Sequence, residues 1–223
     1  MSQSLDKLIN LFKWPLAFYM FISLPALIRS LDFFLVSNVN TFCLLGGLVF
    51  FVFSKTMMDS SVRTSMQIIA HELTHTFFAL LTFHKIKHIR LNSDDTGGEM
   101  GFIGEGNWLI IIAPYFFPLF CLIYMIIISF LPHRLIYHII LGYFLGYHID
   151  TVASQIHPEQ TDLPKVGYRF CVLFLPGVNL FTIGSILSFN IKGWYGIIEY
   201  FHLINELTVQ YFNQIKTLIN TGL

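Results

Sequence analysis

The reading of this chain turns on Ile68-Ile69-Ala70-His71-Glu72-Leu73-Thr74-His75-Thr76-Phe77-Phe78-Ala79-Leu80-Leu81, two imidazoles and a carboxylate set inside an apolar run. An ionisable side chain at membrane depth costs about 3 kcal/mol on insertion scales, so groups kept there usually serve a function. Around that stretch the composition is that of a lipid-embedded chain: of 223 residues 55% are hydrophobic, 17% aromatic and only 12% charged. Soluble domains carry about 25% charged residues, so half of the usual solubilising surface is missing. The expectation is an integral, multi-pass membrane protein. Thirteen basic residues balance thirteen acidic ones, which leaves no field to gather phosphates and excludes a nucleic-acid partner. Cys43, Cys121 and Cys171 lie in apolar surroundings without CxxC spacing, so neither a disulfide framework nor a thiolate metal site is expected.

A spanning helix needs about 20 apolar residues, and that ruler yields an all-α polytopic fold of five or six transmembrane helices. The candidates are residues 14–36, interrupted by Pro25, Arg29 and Asp32; 41–53, short enough to be re-entrant or tilted; 57–83; 107–131; 135–157; and 168–189. Lys7 and Lys13 precede the first, and no small-residue cleavage site follows its core, so a retained anchor is expected. After the HExxH helix, residues 85–91 alternate in polarity; a polar turn with Gly97-Gly98 and a second apolar run at 100–103 complete a β-hairpin pattern. Residues 194–218 read as an amphipathic helix lying at the membrane interface. No repeat divides the chain, which is treated as one membrane-embedded domain, residues 1–223, with a catalytic core over 57–189. Lys and Arg divide seven to six between the two faces, which leans only barely towards a cytoplasmic hairpin.

His71 and His75 stand at i and i+4, so both imidazoles can reach one Zn²⁺, with Glu72 beside them as a base for bound water. Stepping back along the same face reaches Gln67, Thr64 and Ser60, a polar stripe that must face protein or a water path. A zinc hydrolase site usually has three protein ligands and one open position, and the third donor is sought in 147–151 and 157–163. If the helix from Leu135 continues, His148, Thr151, Gln155, Glu159 and Asp162 share one face, with Asp150 and His157 opposite. Pro158 would end that helix and reset the phase. Asp162, His148 and His157 therefore all stand as candidates. His84, His88, His133 and His138 fall near helix ends and form no relay.

These features resemble the membrane-embedded zinc metallopeptidases of the site-2 protease group, the M50-like family. The resemblance covers most of 57–189. It rests on the HExxH helix, the hairpin with its Gly97-Gly98, the helix opening Ala113-Pro114-Tyr115-Phe116, and an Asp-bearing segment two crossings later. The family's late Asp-Gly motif, with its preceding Asn and prolines, is replaced by Gln160-Thr161-Asp162-Leu163, and there is no room for a PDZ domain.

The resemblance implies a minimal protease core in which Asp162 joins His71 and His75 on Zn²⁺ and Glu72 activates the water. It also implies a membrane protein or peptide as substrate, held unwound along the hairpin edge by strand addition. His148 is expected to stabilise the oxyanion, and Asn179 can hydrogen-bond substrate backbone. A bacterial-type inner membrane is expected from the compact form. Other readings are a membrane zinc hydrolase of a lipid or prenylated peptide, and a non-catalytic metal-binding scaffold or carrier.

Overall fold

A computed structural model describes residues 2–34, 38–91, 97–157 and 160–221. The end of the first expected span at Val36, most of the hairpin turn, Pro158 and Glu159 lie outside the described residues. In chain order the elements are α1 (Ser2–Leu11), α2 (Lys13–Ile22), α3 (Leu24–Phe34), α4 (Val39–Met57), α5 (Ser60–Leu81), β1 (Ile86–Leu91) and β2 (Gly98–Phe102). There follow α6 (Trp108–Ile112), a 3₁₀ turn (Ala113–Tyr115), α7 (Leu119–Ile128), α8 (Leu135–Gln155), α9 (Asp162–Val166) and α10 (Tyr168–Thr221).

Local chemistry fixes the key boundaries. Asn38 caps α4 by accepting from the Thr41 N–H at 2.8 Å, and Asp59 caps α5 by accepting from the Ser61 N–H at 2.8 Å. Between them Met58 is extended, so the chain leaves one helix and starts the next without a loop. α4 runs the full 19 residues to Met57, longer than the 41–53 piece read from hydropathy. It packs on α8 with backbones in direct contact. A Cβ at Gly47 would stand 1.8 Å from the Ile139 carbonyl oxygen, and one at Gly142 would stand 1.9 Å from that of Leu44. Small residues at such crossings are how helices approach in lipid, where no hydrophobic force draws them together.

Two described helices, α4 and α10, are long and apolar enough to cross a membrane, or up to four spans if each of two bent pairs counts as one. That count does not confirm five or six. The stretch 107–131 is a broken element: α6 with its 3₁₀ turn meets α7 at 80°, because Pro114 and Pro118 each lack an N–H and cannot continue a helix. The stretch 14–36 bends by 48° between α2 and α3. α5 and α8 are less apolar because they carry polar side chains that face each other. Gln67 Nε2 donates to Asp150 Oδ2 at 3.0 Å, and Gln155 Nε2 donates to the Gln67 carbonyl at 3.1 Å. Exposed Val49, Phe53, Phe130 and Val172 give the bundle the apolar exterior of an integral membrane protein.

The last helix is two helices joined at Gly193, whose φ of 62° and ψ of −151° are closed to residues with a side chain. The second arm runs back along the first: Gly196 lies against Ser188, Gly184 against Tyr200, and the Phe181 and Tyr200 rings stack at 5.7 Å. The expected interfacial helix 194–218 thus begins packed on the bundle. Tyr200 and Ile204 are buried against Leu27, Leu180 and Phe181, while Tyr195, Ile198 and Phe201 are exposed on the same arm, as are Val209, Phe212, Ile215 and Leu218 further on.

Gly46 and Gly47 provide an internal control for the α4–α8 contact. A Cβ at Gly46 meets nothing within 4 Å, so Gly46→Ala should be neutral or stabilising by up to about 1 kcal/mol through helix propensity. Gly47→Ala must part the two helices and should cost roughly 1–3 kcal/mol, seen as a lower unfolding midpoint in detergent. Equal midpoints for the two variants would show that α4 and α8 do not touch there.

Candidate metal centre

α5 carries His71, Glu72 and His75, all three buried. The two imidazoles converge through Nε2, 3.0 Å apart. Asp162 Oδ2 lies 3.4 Å from His71 Nε2 and 3.2 Å from His75 Nε2. The far nitrogens are tied down. His71 Nδ1 lies 2.8 Å from Gln155 Oε1, and the bond from Gln155 Nε2 to the Gln67 carbonyl fixes the orientation of that amide. His75 Nδ1 donates to the Ile110 carbonyl at 2.7 Å. The Ile110 carbonyl is free to accept because its helical partner four residues on is Pro114, which has no N–H.

A carbonyl oxygen can only accept, so each Nδ1 carries a proton. A neutral imidazole has one N–H, which leaves both Nε2 atoms as lone pairs aimed, with a carboxylate oxygen, at one point. Three acceptors packed this way repel unless a cation sits among them. Tetrahedral zinc with bonds of about 2.0–2.1 Å places its ligands about 3.4 Å apart, close to the separations above. Among the described residues these three form the one such group of His, Cys, Asp and Glu, and they fit a zinc ion.

Asp162 itself stands at the start of α9. Burial raises its carboxyl pKa, and the hydrogen bond from Lys165 lowers it. Lys165 Nζ donates to Oδ1 at 3.0 Å. The Tyr115 hydroxyl, fully buried, lies 3.0 Å from Gln160 Oε1 and 3.4 Å from Asp162 Oδ2. An open cavity of about 580 Å³ is lined by His71, Glu72, His75, Gly98 and Asp162. Glu72 presses on the hairpin, for a Cβ at Gly98 would lie 2.7 Å from Glu72 Cγ and 2.9 Å from its Oε1.

The hairpin pairs β1 with β2 antiparallel, Ile89 opposite Met100 and Arg90 opposite Glu99, with an irregularity between Ile86 and His88. Its second strand starts at Gly98, two residues before the expected run. The helix-phase argument for Asp162 does not hold, because α8 ends at Gln155 and Asp162 opens a new helix. His148, Thr151 and Gln155 do share the buried face of α8, while Asp150 on the other side pairs with Lys55 and Gln67. His148 is not beside Glu72; it lines a small separate cavity behind His71. His157 is exposed, accepts from Gln160 Nε2 at 3.2 Å and forms part of the cavity wall. The Asn179 amide donates to the carbonyls of Tyr115 and Leu175 at 3.0 and 2.9 Å, so it braces the proline turn. The stripe from Ser60 meets α8 at Gln67.

Sequence reasoning gave no role to Gln155, the Ile110 carbonyl or Tyr115. Gln155 was visible as a polar residue on the His148 face, and Pro114 marks the freed carbonyl four residues before it.

No curated protein and no solved structure matches the chain. The sequence profile of the Peptidase M50B-like family matches residues 43–149, a stretch that begins within α4 and carries the HExxH helix, the hairpin, the proline turn and most of α8. Over that segment the chain is similar to the M50B-like peptidases, the site-2 protease group its motifs resemble.

Proposed function

We propose that this protein is an intramembrane zinc metalloprotease that cleaves membrane-associated polypeptides, with residence in a bacterial-type inner membrane as part of the reading. M50 peptidases are zinc-dependent in general, and the observation that carries the proposal is the convergence of two deprotonated Nε2 atoms and the Asp162 carboxylate on one point. His71, His75 and Asp162 would hold the ion, which would supply polarisation of the scissile carbonyl and a bound water with its pKa lowered towards about 7.

The chain's own residues supply the rest. Glu72, in the wall of the same cavity, takes the water proton and returns it to the leaving amine. The hairpin forms another wall of that cavity, which supports strand addition as the way an unwound substrate is held. His148 does not line that cavity: it stands in a separate one of about 20 Å³ beside His71, so no oxyanion role is proposed for it.

The test is metal content of the purified protein together with cleavage of a co-expressed single-span membrane protein. Glu72→Gln should lose at least about 10²-fold in turnover, the range of general-base contributions, and keep its zinc. His71→Ala, His75→Ala and Asp162→Ala should lose both, and His157→Ala little of either. Wild-type proteolysis by the Gln variant would remove the proposal.

The contact at the hairpin yields a separate expectation. Gly98→Val drives a branched side chain into Glu72, so turnover should fall towards that of Glu72→Gln while zinc content stays unchanged. Normal turnover in a folded Gly98→Val protein would mean that the carboxylate does not work from this position.

A further inference from the structure

Residues 6–13, at the start of the chain, hold two supports of the metal centre at once. Asp6 on α1 is buried, 6% exposed. Its Oδ1 accepts from Asn107 Nδ2 at 2.7 Å and its Oδ2 lies 3.1 Å from His84 Nε2. His84 stands just before β1 and Asn107 just after β2, so one carboxylate ties together the entry and the exit of the hairpin. Asn107 then uses its own Oδ1 to cap α6, accepting from the N–H groups of Leu109 and Ile110 at 3.1 and 3.2 Å. The carbonyl of that same Ile110 receives the His75 Nδ1 proton. A chain of three contacts thus runs from Asp6 to a metal-site imidazole. The Trp108 indole donates to the Ile9 carbonyl at 2.7 Å and adds a second tie between α1 and α6.

The other support belongs to Asp162. α9 is five residues long, too short to stand without tertiary contacts, and its last carbonyls have no helical partner. Lys13, at the start of α2, donates from Nζ to the Val166 carbonyl at 2.7 Å. Burying a carboxylate is costly unless it is paired, and packing alone would be served as well by an apolar residue at position 6. The polar links at both ends lead to the donor atoms. α1 meanwhile leaves Leu8 and Leu11 exposed, as is Phe12 just after it, the face of a helix seated at an apolar boundary.

We infer that the segment 6–13 is a brace for the metal centre, in which Asp6 positions His75 through Asn107 and Ile110, and Lys13 positions Asp162 through α9. The inference rests on the zinc reading above. Partners one step behind the ligands typically affect metal affinity 10–100-fold; acting one step further out, Asp6→Ala and Lys13→Met should each weaken zinc about 10-fold.

The experiment measures zinc affinity of full-length protein in detergent by competition with a chelating dye, and the visible absorption of the Co²⁺-substituted form. Both variants should bind zinc more weakly and show altered Co²⁺ bands. Asp6→Asn, which can still accept from Asn107 and donate to His84, should restore both readouts. Lys7→Met, an exposed charge on the same helix, should change neither. A lowered unfolding midpoint with wild-type zinc affinity and Co²⁺ spectrum in Asp6→Ala and Lys13→Met would overturn the brace while leaving the protease reading intact. Absence of zinc binding in the wild type would remove that reading and the brace with it. Should Asp6→Ala fail to fold, Lys13→Met decides the matter alone.

Discussion

Three lone pairs converging within 3.0–3.4 Å are the constraint around which the rest of this molecule is arranged. Each of the three atoms is repelled by the other two, so none would stay in place without being held from behind. The holding groups come from different parts of the chain: Gln155 at the end of α8 for His71, the Ile110 carbonyl of α6 for His75, and the short α9 for Asp162. Because both histidines donate from Nδ1 to carbonyl-type oxygens, their tautomers are fixed before any cation arrives. Such preset orientation is how the groups behind metal ligands act in general.

Delivering Gln155 to His71 requires α8 to lie deep in the bundle, and this explains features far from the site. Gly47 and Gly142 let the α4 and α8 backbones touch, and Lys55 pairs with Asp150 on the adjoining flank. Asp150 in turn accepts from Gln67, whose carbonyl receives Gln155. A polar thread therefore connects α4, α8 and α5 to the imidazole, each group satisfied by the next. In lipid such a thread is tolerated only because it is enclosed by protein. The 80° break at Pro114 and Pro118 belongs to the same design, since a straight helix there would have consumed the Ile110 carbonyl.

Much of this was legible in the sequence, though unevenly. The i, i+4 spacing of His71 and His75 fixes their common face whatever surrounds them, and the alternation at 85–91 with the Gly97-Gly98 turn identified the hairpin. The count of spans was less legible because a hydropathy ruler rewards apolar content. It joined α6 to α7 across two prolines, and it counted α5 and α8, long enough at 22 and 21 residues, although their polar residues face each other. Asp162 was set above His157 by a phase argument whose premise fails, since α8 stops at Gln155, and above His148 by the family resemblance. The phase pointed correctly to the polar face of α8, but the residue it brings to His71 is Gln155. The reversal at Gly193 was invisible to periodicity, because two helices flank a single residue whose φ is the entire signal.

The family profile ends at residue 149, before Gln155 and Asp162. The matched segment therefore holds the two histidines, Glu72 and the freed Ile110 carbonyl, while both the support of His71 and the carboxylate lie beyond it. Physically that division is reasonable. The imidazole geometry depends on helix phase and on a proline at a fixed offset, both of which are local constraints on sequence. The carboxylate needs only to reach one point in space, and a five-residue helix held by Lys13 at its far end and by Tyr115 near its first residue can do so without an Asp-Gly motif. A chain can thus lose the family's late motif and still present an anionic oxygen to the same pair of nitrogens, provided something outside the matched segment pins the helix that carries it.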